Sequence, residues 1–166
     1  MAFIRIKSFK KSKGIYDYAY LVSSKYRKRR RKGWTSRIEQ KNIKYLGRVF
    51  NFEEIFEYTF NDFFESVNLS NIMGLELIKK GFVCCDGRYI FENIVVDLEK
   101  GFVCCDGRDC VLKINKGFLC AYTLSEILQF SKIKSREEGL IFLNKLMRCG
   151  IHPNADIFRK LIEKMI

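Results

Sequence analysis

Asp-Gly falls between apolar runs at Asp86-Gly87 and again at Asp106-Gly107, each time inside the same octapeptide, GFVCCDGR, at residues 81–88 and 101–108. Both central residues of the tightest hairpin turn take positive φ, which glycine adopts freely and aspartate tolerates, so this dipeptide between apolar runs signals a hairpin. FVCC-DG-RYIF and FVCC-DG-RDCV therefore read as two hairpins. The connection ENIVVDLEKG suggests a strand through Val95, Val96 and Leu98, and a bulged turn at Gly101. INKGFLC, with Gly117, is a third and degenerate start of the same unit. Residues 72–122 thus predict an antiparallel meander of five or six short strands, each too brief to be stable alone.

The pleat constrains what the repeated cysteines can do. Neighbours in a strand point to opposite faces, so Cys84 and Cys85 do not both ligate one ion, nor do Cys104 and Cys105. The two-residue spacing of a zinc knuckle is absent. A metal would need Cys84 to meet Cys104 on one face, or Cys85 to meet Cys105 on the other, with Cys110 or Cys120 near. Free cysteine is commonly a small buried apolar residue, and that is the expected role. No metal and no cofactor are expected. The one histidine, His152 beside Pro153, lies far along the chain from these thiols, and nothing marks it as a base for them. Arg88 and Arg108 follow the two turns, where ion pairs with Asp86 and Asp106 are the simple expectation.

At 48% apolar residues, 166 residues suffice to build a core. The sequence has no run of 18 apolar residues, the charge at the fifth position of MAFIRIKSFKK leads to the expectation of no secretory signal, and its seven cysteines suit a reducing compartment. A cytoplasmic location is expected, with no membrane partner. The net charge of +12 is unevenly placed. Residues 1–50 carry sixteen Lys and Arg against two acids, Asp17 and Glu39, a net +14, and residues 51–166 carry a net −2. Such asymmetry points to a polyanion-binding module joined to a neutral one, with the boundary at residues 50 and 51.

Three pieces of the basic module alternate like strands: FIRIKSF, YDYAYLV and RIEQKNIKYLGRV. In the second, Tyr16, Tyr18, Tyr20 and Val22 share one face, and Ile15, Ala19 and Leu21 share the other. Gly14 belongs to the first turn. The second connection contains Lys25, Arg27, Lys28, Arg29, Arg30, Arg31 and Lys32, seven cations in eight positions. A run like this repels itself and predicts a loop standing out from the sheet. Phosphate backbones reward such clusters, because each neutralised phosphate releases condensed counterion and arginine binds phosphate oxygens in pairs. Trp34 follows Gly33 and is either a buried anchor or a stacking residue; Arg37 adds a further cation, and the tyrosines offer stacking surface for bases.

YAYLVSSKYRK, the basic stretch and KNIKYLGRV together resemble the amino-terminal segment of several prokaryotic transposase families. In those families a Tyr-x-Tyr-Leu-Val strand, a Lys/Arg-rich turn and a strand ending Tyr-Leu-Gly form a small antiparallel sheet ahead of the catalytic domain. The matching positions are Tyr18 to Val22, Lys25 to Lys32, and Tyr45 to Gly47. The resemblance implies a DNA-associated module without catalysis, since residues 51–166 have no counterpart of the ribonuclease-H-like domain with its three carboxylates.

NFEEIFEYTFNDFFESVN, residues 51–68, opens with Asn51 and Glu54 in capping-box spacing. Phe52, Ile55, Phe56, Thr59, Phe60, Phe63, Phe64 and Val67 then recur at helical spacing, which predicts an amphipathic helix with an acidic outer face. Residues 123–166 predict a helical cap. TLSE (123–126) and SREE (135–138) fit capping boxes, and Pro153-Asn154 precedes a third helix. Leu140, Leu143, Leu146 and Met147 form the expected inner face of the second, and Ile157, Phe158, Leu161, Ile162 and Met165 that of the third. GIHPNADIFRKLI is similar to half a pentatricopeptide repeat unit, without the tandem copies such arrays require.

The fold class expected is α+β: an N-terminal three-stranded antiparallel sheet with a basic loop, an amphipathic helix, a β-meander with repeated hairpins, and a C-terminal helical cap. No paired carboxylates, phosphate-cradling glycine loop or nucleophile with a base can be assembled, so no enzyme and no small-molecule substrate are expected. The function expected is nucleic-acid binding through Lys25, Arg27, Lys28, Arg29, Arg30, Arg31, Lys32, Trp34 and Arg37. DNA is favoured; structured RNA, including ribosomal RNA, is the alternative, and a protein-interaction adaptor using the C-terminal helices is another.

Overall fold

A computed structural model describes residues 2–27, 37–53, 57, 59–62 and 64–166. The fold is α+β, with strands first, a central meander and helices at the C-terminal end. Residues 1–49 and 50–166 form two compact units.

The first unit is an antiparallel sheet in the order β1 (Ala2–Lys11), β2 (Gly14–Arg27), β3 (Arg37–Phe52), of which the last three residues of β3 belong to the second unit. Ser12 and Lys13 make the first turn, and Lys11 pairs with Gly14, whose φ of 136° is open to glycine alone. The pairing of β2 with β3 shifts register twice, leaving Leu46 and Ile43 as extra residues on β3. β1 ends opposite Ser23, so β2 and β3 continue beyond it as a two-stranded arm, pairing Ser24 with Gln40, Lys25 with Glu39, Tyr26 with Ile38 and Arg27 with Arg37. Ala19, Leu21, Leu46 and Val49 are buried.

The predicted helix over 51–68 is not what the described residues form. Asn51 and Phe52 extend β3, and Phe60–Asp62 is a single 3-10 turn; residues 54–56, 58 and 63 lie outside the described set. The Phe52 ring stands 5.1 Å from Phe82 and 5.3 Å from Phe91, and Phe60 packs on Phe64 at 5.5 Å. These phenylalanines serve the core from extended and turn backbone, which suits side chains that lose χ1 freedom in a helix. The helix comes later, as α1 (Leu69–Lys79). Asn68 caps it by accepting from the Asn71 amide at 2.8 Å, and Asn71 returns a bond to the Ser66 carbonyl. Ile72, Met73, Leu75 and Leu77 are all buried. A Cβ on Gly74 would lie 1.9 Å from the Tyr89 hydroxyl, so only glycine admits that ring.

The meander follows as β4 (Val83–Cys85), β5 (Arg88–Phe91), β6 (Ile94–Asp97), β7 (Phe102–Cys105), β8 (Arg108–Ile114) and β9 (Gly117–Leu119). Its order is β8-β7-β6-β5-β4, and β9 pairs with β8. Both Asp-Gly turns are present, with φ of 49° and 76° at Asp86 and Gly87 and of 50° and 71° at Asp106 and Gly107. One face of the sheet supplies Phe82, Tyr89, Ile94, Val96, Val103, Leu112 and Ile114 to the core, which Leu77, Leu124, Phe142 and Leu146 join from the helices.

The helical cap comprises α2 (Ala121–Leu128), α3 (Arg136–Arg148) and α4 (Ala155–Met165). Thr123 does not open α2. The helix starts two residues earlier, with Cys120 at its cap, and the Thr123 hydroxyl accepts from the Cys120 amide at 3.0 Å and donates to the Phe118 carbonyl at 2.8 Å. Ser135 does cap α3, accepting from Glu138 N at 3.2 Å, and Asn154 caps α4, accepting from Ile157 N at 2.8 Å. The inner face of α3 is Gly139, Phe142 and Leu146, whereas Leu140 and Met147 are exposed. Those two leucine and methionine positions match helical spacing but lie one step around from the side that meets the core.

Candidate nucleic-acid interface

Strand alternation and register gather one set of side chains on a single face of the first sheet. Tyr16 lies opposite Phe9, Tyr18 opposite Lys7 and Arg48, and Tyr20 opposite Arg5 and Tyr45. Directly opposed residues in an antiparallel pair point to the same side. The face therefore carries Arg5, Lys7, Phe9, Lys11, Tyr16, Tyr18, Tyr20, Tyr45 and Arg48. Further along, the arm adds Tyr26 and Ile38, exposed at 64% and 65%.

The rings touch in a row. Phe9 meets Tyr18 edge-on at 5.7 Å, Tyr45 lies 6.2 Å from Tyr18, and Tyr20 lies 5.4 Å from Tyr45. Cations sit over them. Lys7 Nζ is 4.7 Å from the Tyr20 centroid, Lys11 Nζ is 5.6 Å from Tyr16 and 5.1 Å from Tyr18, and the Arg48 guanidinium is 4.6 Å from Tyr16. Lys11 Nζ also donates to Tyr18 Oη at 2.7 Å, and this bond, ahead of the other nearby tyrosines, raises the lysine pKa above its ordinary value. Burial raises the Tyr45 pKa, so its hydroxyl stays protonated. Arg5 Nη1 reaches Gln40 Oε1 at 2.6 Å.

The two acids of residues 1–50 fall on the other side. Asp17 pairs with Ser8, whose hydroxyl donates to it at 2.6 Å, and Glu39 pairs with Lys25. Charge on the aromatic face is thus of one sign among the described residues.

Of the residues singled out from sequence, Lys25 is exposed on the arm, and Arg27 and Arg37 pair where the arm ends. Lys28, Arg29, Arg30, Arg31, Lys32 and Trp34 lie outside the described residues. The tyrosine row of β2 is where alternation put it. Arg5, Lys7, Phe9, Lys11, Tyr45 and Arg48 were missed; alternation within MAFIRIKSFKK shows Arg5, Lys7, Phe9 and Lys11 sharing a side, but nothing local says which side of β2 they join.

The cysteines are separated by the meander itself. Cys84 lies opposite Tyr89, which continues through Val96 to Val103, whereas Cys104 lies opposite Val95. Cys84 and Cys105 therefore share the face of Tyr89, Val96 and Val103, and Cys85 and Cys104 the opposite one; on the short strand β4 Cys84 and Cys85 are both exposed, not buried as expected. The expected pairings, Cys84 with Cys104 and Cys85 with Cys105, are overturned, because equivalent cysteines of the two copies face opposite ways. Even those sharing a face stand three strands apart, about 14 Å at the usual strand spacing, too far for a common ion. Among the described residues no three His, Cys, Asp or Glu are close enough to hold a metal. Burial pushes the Cys110 and Cys149 thiols up to about 12, away from the reactive thiolate. Arg88 also differs from expectation: its Nε donates to Asp97 Oδ2 at 3.2 Å, across the strand pair, and Asp97 additionally accepts from Lys100 N at 2.8 Å.

No protein-family model, curated protein or solved structure matches the chain. No helix among the described residues is long and apolar enough to cross a membrane.

Proposed function

We propose that the chain is a non-catalytic nucleic-acid-binding protein that holds the phosphate backbone through the cations of residues 1–50. The observation that carries this reading is the sorting of the acids: the aromatic face bears Arg5, Lys7, Lys11 and Arg48 and no acid among the described residues, whereas Asp17 and Glu39 lie on the other face among Lys10, Lys25, Lys41 and Lys44. Solubility has no need of such sorting, and a polyanion rewards it. Duplex DNA is the leading ligand. A two-stranded ribbon fits the major groove, and the arm from Ser24 to Arg27 and Arg37 to Gln40 is one, bearing Lys25, Arg27 and Arg37 and joined by the cation-rich residues 28–36. The likeness of residues 18–47 to transposase amino-terminal segments supports the same choice. Structured RNA is the second reading, favoured by the aromatic row, because RNA loops splay bases onto aromatic side chains.

The test is affinity for duplex DNA and for folded RNA across a salt series, for the full chain and for a variant with Arg29, Arg30 and Arg31 changed to Ala. The slope of log affinity against log salt should fall by about 2 to 3 in the variant, since each phosphate contact contributes roughly 0.9. An unchanged affinity with a flat slope in the parent sinks the proposal and leaves the adaptor reading, in which the apolar groove of Ile133, Leu140, Phe158, Ile162 and Ile166 takes a protein partner.

A further inference from the structure

We infer that the aromatic face of the first sheet is a stacking platform for unpaired bases, so that the ligand is nucleic acid with a single-stranded stretch beside the backbone held by the cations. The inference rests on the nucleic-acid reading above and names the part of the ligand this face takes.

An antiparallel sheet with one side in water ordinarily alternates apolar-in with polar-out. Here the side that exposes Tyr45 at 51% on β3 and Phe9 at 44% on the edge strand β1 carries five rings, with Tyr16, Tyr18 and Tyr20 half-buried. Exposed rings continuous with a half-buried aromatic row suit a binding site. The rings lie at 5.4 to 6.2 Å from one another and interplanar angles of 40° to 66°, so they are not stacked face to face and their faces are not consumed by each other. A duplex offers only groove edges and phosphates, and its base faces are already stacked inside. Unpaired bases offer those faces, and aromatic platforms flanked by cations are the arrangement that uses them without reading sequence. Lys7, Lys11 and Arg48 stand over ring faces now; a phosphate passing the sheet gives them a stronger partner and leaves the rings to the bases. An acidic peptide would engage the cations alike but has no use for the ring row, which is why nucleic acid is chosen over protein.

The experiment uses the full chain with a twelve-nucleotide single strand carrying 2-aminopurine, as DNA and as RNA, beside a duplex of the same sequence. Stacking quenches the aminopurine on binding, in either sugar, and quenching by the parent chain supports the platform. Phe9→Ala with Tyr45→Ala should weaken single-strand binding about tenfold or more, given the usual worth of a stacked base, and change duplex binding less than twofold. Tyr45→Phe keeps the ring and should keep the binding. Duplex binding with no quenching, or equal losses on both ligands in the alanine variant, overturns the platform and leaves the broader reading standing. Failure to bind either ligand overturns both. The quenching measurement needs no variant, so a poorly folded double mutant does not rescue the idea. Competition by polyglutamate without any base response favours an acidic protein partner and also overturns it.

Discussion

A Cβ placed on Gly117 would stand 2.0 Å from the backbone nitrogen of Gly150, so the first residue of β9 and the residue that ends α3 touch backbone to backbone. Gly150 in turn sits at a φ of 86°, with the Ile114 carbonyl oxygen 2.2 Å from where its own Cβ would be. Asn115 ties the same corner, donating to the Gly150 carbonyl at 2.7 Å and accepting from the buried Lys80 ammonium at 3.0 Å. Neither side of the contact is a flexible side chain that can step away. Gly117→Ala should therefore destabilise the fold by about 3 kcal/mol, at the upper end for overpacking. A denaturant midpoint within error of the parent would show that β9 and α3 are not in this contact.

The duplicated octapeptide supplies a matched pair. Val83 is 67% exposed and Val103 is fully buried, although the residues on either side of both are identical. Val103→Ala should cost about 2 to 3 kcal/mol and Val83→Ala less than about 0.5, a difference due to burial because local propensity cancels. Equal losses in a urea titration of the two variants would contradict the facing assigned to β4 and β7.

Asp97 is the buried acceptor of the meander, bonded to Arg88 Nε and to Lys100 N. Asp97→Ala should cost about 1 to 3 kcal/mol, because Arg88 and the Lys100 amide both lose their acceptor. Asp97→Asn keeps an oxygen for the amide and should cost less, since Arg88 is half exposed and its ion pair is worth under about 1 kcal/mol. Thermal melts of both variants test this order, and a larger loss for the asparagine refutes it.

Burial raises Tyr89 from 10.0 to about 12 and Cys110 and Cys149 from 9.0 to about 12. The unfolded chain releases these protons first as the pH rises, so the native state, which holds them, loses stability from about pH 9 upward, and the loss continues until about pH 12. Midpoints of denaturant unfolding should fall between pH 8 and pH 11, and Cys110→Ala with Cys149→Ala should fall less over the same range. A midpoint that rises with pH would mean that these groups ionise more easily in the native chain.

Turn chemistry is local, and the turns were accordingly legible: Asp86-Gly87 and Asp106-Gly107 announce their hairpins within two residues. Facing is not local. Whether Cys84 or Cys104 shares the face of Tyr89 depends on register carried through β5 and β6, and identical octapeptides hold no trace of it. The segment 51–68 misled for a related reason, since phenylalanines at helical spacing can equally be placed by a strand end and a 3-10 turn, as Phe52 and Phe60 are. Helix α1 left a faint signal because it buries nearly all round, from Ile72 to Leu77. In the candidate interface, Tyr16, Tyr18 and Tyr20 could be grouped from alternation alone. Joining Lys7, Lys11 and Arg48 to them requires the two-residue turn at Ser12-Lys13 and the two register shifts on β3.

β1 stands at the end of the strand order, and ten residues of its outer edge run beside no other described strand. A long edge rich in Phe3, Ile4, Ile6 and Phe9 is a template on which a second chain can add a strand. Arg5, Lys7, Lys10 and Lys11 punctuate that edge and repel an identical neighbour. The cations nearest the tyrosines thus also guard against self-association. Changing them to alanine exposes a sticky edge at the same moment as it removes a contact, so solution size must be followed together with affinity in any variant of β1.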